Sequence, residues 1–193
     1  MIEIFSTNES IVSSLGKAVI EGLQNSDFSV SACAKHYFGD GAVDYGTGRR
    51  KTSLDQGDIR NKSNIHEIIT KHIEPYTSAI EAGVDSIMLS YSSLLGVPMH
   101  SNPEMIDKLR IEMGFDGVIL SDWDATSNLC PQCWNTIENI AKYTNKGENY
   151  PISVVVATGE VCFGQDDLTC TFHEQYARAI NSGVDMIMMP GNF

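Results

Sequence analysis

This sequence has no run of about 18 apolar residues, the length a helix needs to cross a bilayer, so no transmembrane helix is expected. It is poor in positive charge: 13 Lys and Arg stand against 25 Asp and Glu, for a formal net charge of -12. An acidic surface repels phosphate backbones and anionic lipid, so neither nucleic acid nor membrane is expected as a partner. The first residues, Met1-Ile2-Glu3-Ile4-Phe5, are too short and too acidic to read as a signal peptide. The compartment stays open, because the sequons Asn8-Glu9-Ser10 and Asn61-Lys62-Ser63 would also fit a secreted or lysosomal parent. No G-x-G-x-x-G follows any apolar run, which removes the main signature of a dinucleotide-binding sheet. Cysteine is scarce and unevenly placed. Cys33 lies alone in the apolar run SVSACAKHY and reads as a small core residue. Cys130, Cys133, Cys162 and Cys170 cluster, and three readings stand side by side: two disulfides, a zinc site and free thiols.

What is present is a rhythm. AIEAGVDSIMLSY begins at Ala79 and AINSGVDMIMMPG at Ala179, an offset of one hundred residues with seven of thirteen positions identical. Each copy reads as a helix end, a glycine stop and a strand. Gly83 and Gly183 are predicted to turn left-handed where the helix leaves off. The strands are continuous apolar runs, the pattern of strands covered on both faces of a parallel sheet.

The other elements alternate in the same way. A helix is predicted over residues 9–24, with Ile11, Leu15, Val19 and Leu23 on one face. Strands are predicted over 28–35, 84–90, 118–121, 152–157 and 184–189. Helices are predicted over 65–82 (interrupted near Pro75), from Asn102-Pro103 to about Gly114, and over 172–182. A polar loop covers 38–64. Strands alternating with helices give a parallel α/β fold. Chemistry gathers at the strand ends: Lys35-His36, Ser90-Tyr91 and Ser121-Asp122-Trp123. That placement favours a closed barrel over an open sheet. A complete eight-unit barrel takes about 250 residues, so the expected fold class is part of a (β/α)8 TIM-type barrel, its C-terminal part, with parallel strands.

The strand ends supply one carboxylate, one cation, one histidine, a hydroxyl and an aromatic plate. Only one histidine is among them, too few for a metal centre. The set suits a neutral polyol, with charged groups for the hydroxyls and a ring against the sugar face. Glycosyl transfer is the matching reaction, and it needs a pair of carboxyl groups.

KHYFGDG (Lys35 to Gly41) resembles the Lys-His/Gly-Asp-Gly motif of glycoside hydrolase family 3, the β-glucosidase and exo-β-glucanase group. SIMLSYSSLLGVPMHSNPEMIDKLRIEMGFDGVILSDW (Ser86 to Trp123) is similar to that family's diagnostic segment with its nucleophile in SDW. The resemblance covers residues 1–127 and 172–193. Residues 128–171, with the clustered cysteines, do not match and are expected to be an insertion or a divergent βα unit. The resemblance implies a retaining β-glycosidase that releases sugar from the non-reducing end. Asp122 would be the nucleophile, Lys35 and His36 would bind the sugar, Met88 and Tyr91 would line the pocket, and Trp123 would pack beside the sugar. It implies no metal and no cofactor. The expected partners are a β-glucoside or β-glucan oligosaccharide and a second domain of the same parent. The family's acid/base carboxyl lies in that later domain, so it is expected to be missing from this chain.

Plainer alternatives accompany these roles. Asp122 would otherwise be an N-cap, Lys35 and His36 a structural pair, and Tyr91 and Trp123 core packing. Asp40 is expected to order its loop. His66, His72, His100 and His173 read as surface or loop histidines. The alternative function is a non-catalytic carbohydrate-binding or structural barrel fragment.

Overall fold

The computed structural model describes residues 5–44, 57–60, 63–129 and 172–189. The clustered cysteines, the proposed insertion beyond residue 129 and the 152–157 strand lie outside them. Helix α1 (Glu9–Gln24) starts where Asn8 Oδ1 accepts the amides of Ser10 and Ile11, satisfying two donors that the first turn cannot pair internally. At its other end Gln24 ties three segments together. Its amide donates to the Gly83 carbonyl at 2.6 Å, and its oxygen accepts the amides of Ala32 and Asp85 at 3.1 Å.

Strands β1 (Cys33–Tyr37), β3 (Ser86–Leu89) and β6 (Val118–Leu120) form a parallel sheet in the order β1-β3-β6, and Met186 adds a single parallel bridge to Leu120. Each strand therefore lies beside its predecessor, as helical crossovers between parallel strands require. Two helices make those crossovers: α2 (Ile65–Glu81) between β1 and β3, and α3 (Pro103–Asp107) with the π turn Lys108–Glu112 between β3 and β6. Helix α4 (Phe172–Asn181) precedes Met186, and α1 packs against α2. Ile87, Leu89, Ile119, Leu109, Ile106 and Tyr37 are fully buried between the layers. Each such side chain contributes about 1.5–3 kcal/mol relative to exposure. The buried Tyr37 hydroxyl donates to the Met105 carbonyl at 3.0 Å, and burial pushes its ionisation upward, so it stays a donor.

The repeat is a structural repeat. Gly83 and Gly183 have φ of 78° and 105°. The amides of Val84 and Val184 close onto the carbonyls of Ala79 and Ala179, both at 3.1 Å. The aspartate that follows each valine reaches back to the preceding strand segment: Asp85 accepts from Ser31 Oγ, and Asp185 accepts the Ile119 amide and pairs with Arg110.

Several expectations are corrected. The first strand is shorter and later than 28–35, and Phe28 and Val30 before it are exposed. Cys33 is exposed rather than core, because exposure alternates along the start of β1 and Cys33 and Lys35 face out. The apolar stripe of α1 is 39–48% exposed, while Ser13 and Ile20 are its buried residues. Helix α2 runs through Pro75 without a break. The carbonyl that proline leaves unpaired belongs to exposed Lys71, where water can take it. The final strand is reduced to the bridge at Met186.

A second small sheet sits beyond the C-terminal end of β3. Strand β2 (Asp58–Ile59) runs parallel to β4 (Ser93–Leu94), which turns back antiparallel into β5 (Val97–Pro98). Leu95 and Gly96 make that turn with φ of 51° and 85°, the paired positive angles of a two-residue hairpin. The buried Asp58 carboxylate accepts the Gly96 amide at 2.8 Å. This hairpin delivers a 3-10 turn, Met99–Ser101, to the end of β6.

Candidate active site at the strand ends

Three strand ends converge. From β1 comes His36, whose Nδ1 lies 3.3 Å from Asp40 Oδ2 and whose Nε2 lies 3.3 Å from Asp122 Oδ2. The ring thus bridges the carboxylate of its own loop to the one at the end of β6. Asp40 Oδ1 in turn accepts the hydroxyls of Ser90 and Ser92, and the Ser92 amide donates to Ser90 Oγ at 2.8 Å. Burial on its own would raise the Asp40 carboxyl, but the hydrogen bonds from His36, Ser90 and Ser92 outweigh it and hold the group below the ordinary carboxylate range. Asp40 orders its loop and also joins that loop to the end of β3.

Asp122 follows β6. Its Oδ1 accepts the Trp123 amide at 2.6 Å, its Oδ2 faces His36, and its side chain is 15% exposed. The carboxylate is therefore oriented at both oxygens and still open on one side. Its neighbours are pinned too. The Ser121 amide donates to the Met186 carbonyl, Ser121 Oγ accepts the Met188 amide, and the Asp124 amide donates to the Met188 carbonyl. Asp124 has φ of 52° and stands at the head of the short helix Ala125–Asn128.

The remaining predicted residues divide. Tyr91 donates its hydroxyl to the Trp123 carbonyl, which joins the segment after β3 to the end of β6. Trp123 is 56% exposed, its ring presented to solvent beside Asp122. Met88 is buried in mid-β3, paired in register with Lys35 on one side and Leu120 on the other. Lys35 is exposed, and among the described residues no ion pair joins it to Asp122. His36, Asp122, Tyr91 and Trp123 are thus brought together, with Met88 and Lys35 one step back along the strands. Two peptide bonds here, Lys35–His36 and Tyr37–Phe38, are cis. Among the described residues no group of His, Cys, Asp and Glu is placed to hold a metal ion.

Of the four histidines read as surface or loop groups, His66 and His173 are exposed. His72 is half-buried, edge-on to Phe38 with ring centroids 6.4 Å apart, and burial lowers its affinity for a proton. His100 is a correction: it is 1% exposed, and its Nε2 accepts the main-chain amide of Asp122 at 3.0 Å. Burial first, and repulsion from His36 second, push it down to about 3, so the ring is neutral. Its spacing from SDW carries no periodic signal, because the path between them includes helical turns and a strand. The signals for Asp40, Ser90 and Ser92 were local: a His and an Asp four apart, and two serines flanking a tyrosine at a strand end.

Comparison with known proteins places this geometry in context. The model of the family described as "Glycosyl hydrolase family 3 N terminal domain" matches residues 2–144. The periplasmic beta-glucosidase/beta-xylosidase of Dickeya chrysanthemi is 27% identical over 197 residues, covering 94% of this chain and 27% of its own length. The beta-xylosidase of Formosa agariphila is 35% identical over 128 residues, covering 62% of this chain and 16% of its own length. Among solved structures, the exo-1,3/1,4-beta-glucanase from a Pseudoalteromonas species aligns with a TM-score of 0.64 and 26% identity over 97% of this chain and 18% of that one. The chain thus spans about a quarter or less of the length of these relatives.

Proposed function

The chain belongs to glycoside hydrolase family 3, through that family's N-terminal domain, and on that premise we propose that it carries the nucleophile side of a retaining β-glycosidase site acting on a β-glucoside or β-glucan oligosaccharide. The parallel strands are read as the C-terminal part of a (β/α)8 barrel, whose active residues stand at the C-terminal ends of the strands. The observation that carries the reading is the contact between His36 Nε2 and Asp122 Oδ2 at 3.3 Å, across three adjacent strand ends.

The chemistry follows from the orientation of that carboxylate. Asp122 attacks the anomeric carbon and forms a carbon–oxygen bond as the bond to the leaving oxygen breaks. The leaving oxygen takes the electron pair and a proton from a second carboxyl, and water then releases the sugar. The hydrogen bond from the Trp123 amide, with the His36 ring 3.3 Å from the other oxygen, holds the carboxylate in one pose before substrate arrives, which lowers the cost of reaching an attack geometry. His36 and the exposed face of Trp123 are assigned to the sugar, with Lys35, Met88 and Tyr91 around them. No residue of this chain is assigned the proton donor.

The test is covalent labelling. A glucoside with fluorine beside the anomeric centre and a dinitrophenolate leaving group needs no proton donor for the first step, and its adduct hydrolyses slowly. The expected result is one sugar adduct per chain on the peptide containing Asp122, absent from Asp122→Asn. An unlabelled chain, or an adduct on another carboxylate, refutes the assignment. Calorimetric binding of glucose by an unlabelled chain would favour a non-catalytic sugar-binding module instead.

A further inference from the structure

We propose that His100 is a positioning residue for Asp122, its unprotonated Nε2 standing in for a strand carbonyl that the fold does not supply. This deepens the assignment of Asp122 as nucleophile and rests on it. Along β6 and the residues just after it the amides alternate sides. That of Ser121 goes to the Met186 carbonyl, and that of Ile119 goes to Asp185 on the same side. The Val118 amide points the other way, to the Asp85 carbonyl at the foot of β3. The Asp122 amide faces that same β3 side. By then β3 has ended at Leu89 and the chain has left for the β4–β5 hairpin. A buried amide without an acceptor would cost a hydrogen bond in a region where water is excluded. His100 fills the place at 3.0 Å.

The ring is itself held. Strand β5 pairs with β4 immediately before the turn that carries it, and Asn102 immediately after caps α3 through the Met105 amide at 3.1 Å. The titratable groups facing it are His36 from the end of β1, Tyr91 from the segment after β3, with ring centroids 6.2 Å apart, and Asp122 itself. Two histidines therefore flank one aspartate in different ways: His36 meets the carboxylate and His100 meets the main chain. Only a ring nitrogen without a proton accepts an amide, so the arrangement needs a neutral His100 while it places no such demand on His36. The expected outcome of losing the acceptor is a shift of the peptide that carries the reacting carboxylate, with the sugar-facing groups left where they are.

Two measurements test this. In the isotope-labelled 193-residue chain, a through-hydrogen-bond coupling between the Asp122 amide nitrogen and His100 Nε2 is expected, and its absence overturns the proposal whatever the activity. In the labelling reaction, His100→Leu is expected to slow adduct formation at saturating reagent by about ten- to a hundred-fold, the scale of a misplacement near 1 Å, with the reagent's half-saturation concentration within about two-fold. His100→Gln, whose side-chain oxygen can accept the same amide, is expected to recover most of the rate. A leucine variant as fast as wild type, or a glutamine variant as slow as leucine, overturns the positioning role. A wild-type chain that shows the coupling but takes no label overturns the nucleophile reading, and the catalytic role of His100 with it.

Discussion

Acid should unfold this chain along a slope to which His100 contributes measurably. The ring is buried and neutral in the folded chain and takes a proton only near pH 3, whereas in the unfolded chain it titrates at the ordinary value of 6.5. Between those values the unfolded state binds a proton that the folded state does not, so stability falls as pH falls. Each pH unit in that window is worth about 1.4 kcal/mol. The loss is about 2 kcal/mol at pH 5 and approaches a ceiling of about 5 kcal/mol near pH 3. Against a typical domain stability of about 5–15 kcal/mol this is a large share. The assay is urea unfolding followed by circular dichroism at a series of pH values from 7 to 4, on wild type and His100→Gln. Other groups titrate too. Asp40, whose carboxyl is held low, makes stability fall in the same direction, and Asp58, whose carboxyl is raised by burial, opposes it. Both are present in both proteins, so the difference between the two curves isolates residue 100. The variant is expected to start less stable at neutral pH and to close the gap by about 2 kcal/mol by pH 5. A gap that stays constant across that range would refute the buried, neutral ring.

Three further substitutions test the fold beneath the site. A side-chain carbon added at Gly117 would stand 2.4 Å from the Asp85 carbonyl oxygen and 2.7 Å from the Phe115 ring, so Gly117→Ala is expected to cost about 1–3 kcal/mol by overpacking; an unchanged melting temperature would show that the start of β6 can shift. Asp58→Ala removes the acceptor of the Gly96 amide and the carboxylate that pairs with the Arg60 guanidinium, for an expected loss of about 3 kcal/mol, and a loss under about 1 kcal/mol in urea unfolding would place that carboxylate outside the stability of the fold. Tyr37→Phe removes one of two donors to the Met105 carbonyl, the other being the Lys108 amide, and is expected to cost about 0.5–1.5 kcal/mol; equal unfolding midpoints for the two proteins would contradict the hydrogen bond.

Much of the frame was legible because it depends on neighbours in sequence. Asn8 caps α1, Asn102 caps α3, and Gly83 and Gly183 end their helices with positive φ, all within a few residues of the positions they serve. The continuous apolar run of β3 announced a strand covered on both faces, and it is the central, most buried strand of the described sheet. Cys33 misled for the complementary reason: SVSACAKHY is apolar on average, but which alternate residue faces the core depends on where the strand begins in the sheet. The stripe on α1 was read as a face correctly, yet its exposure follows from how α1 lies on α2, which no local pattern encodes.

The candidate site divides along the same line. Lys35-His36, Asp40 and Asp122 were identifiable as motifs at or just beyond strand ends, since short-range sequence patterns mark both a strand's end and the polar side chains that follow it. That His36 bridges Asp40 to Asp122, that Ser90 and Ser92 complete the anchoring of Asp40, and that His100 closes on the Asp122 amide are products of strand order and of the β4–β5 hairpin. Sequence alone determined the alternation of strands and helices, the glycine exits and the residue types gathered at the strand ends, because capping, φ preference and hydrophobic periodicity act within a turn or two of chain. Tertiary structure decided which of those residues meet and which histidine loses its access to water, because contacts between segments far apart in the chain, such as that from His36 to Asp122, exist only once the parallel strands have chosen their neighbours and register.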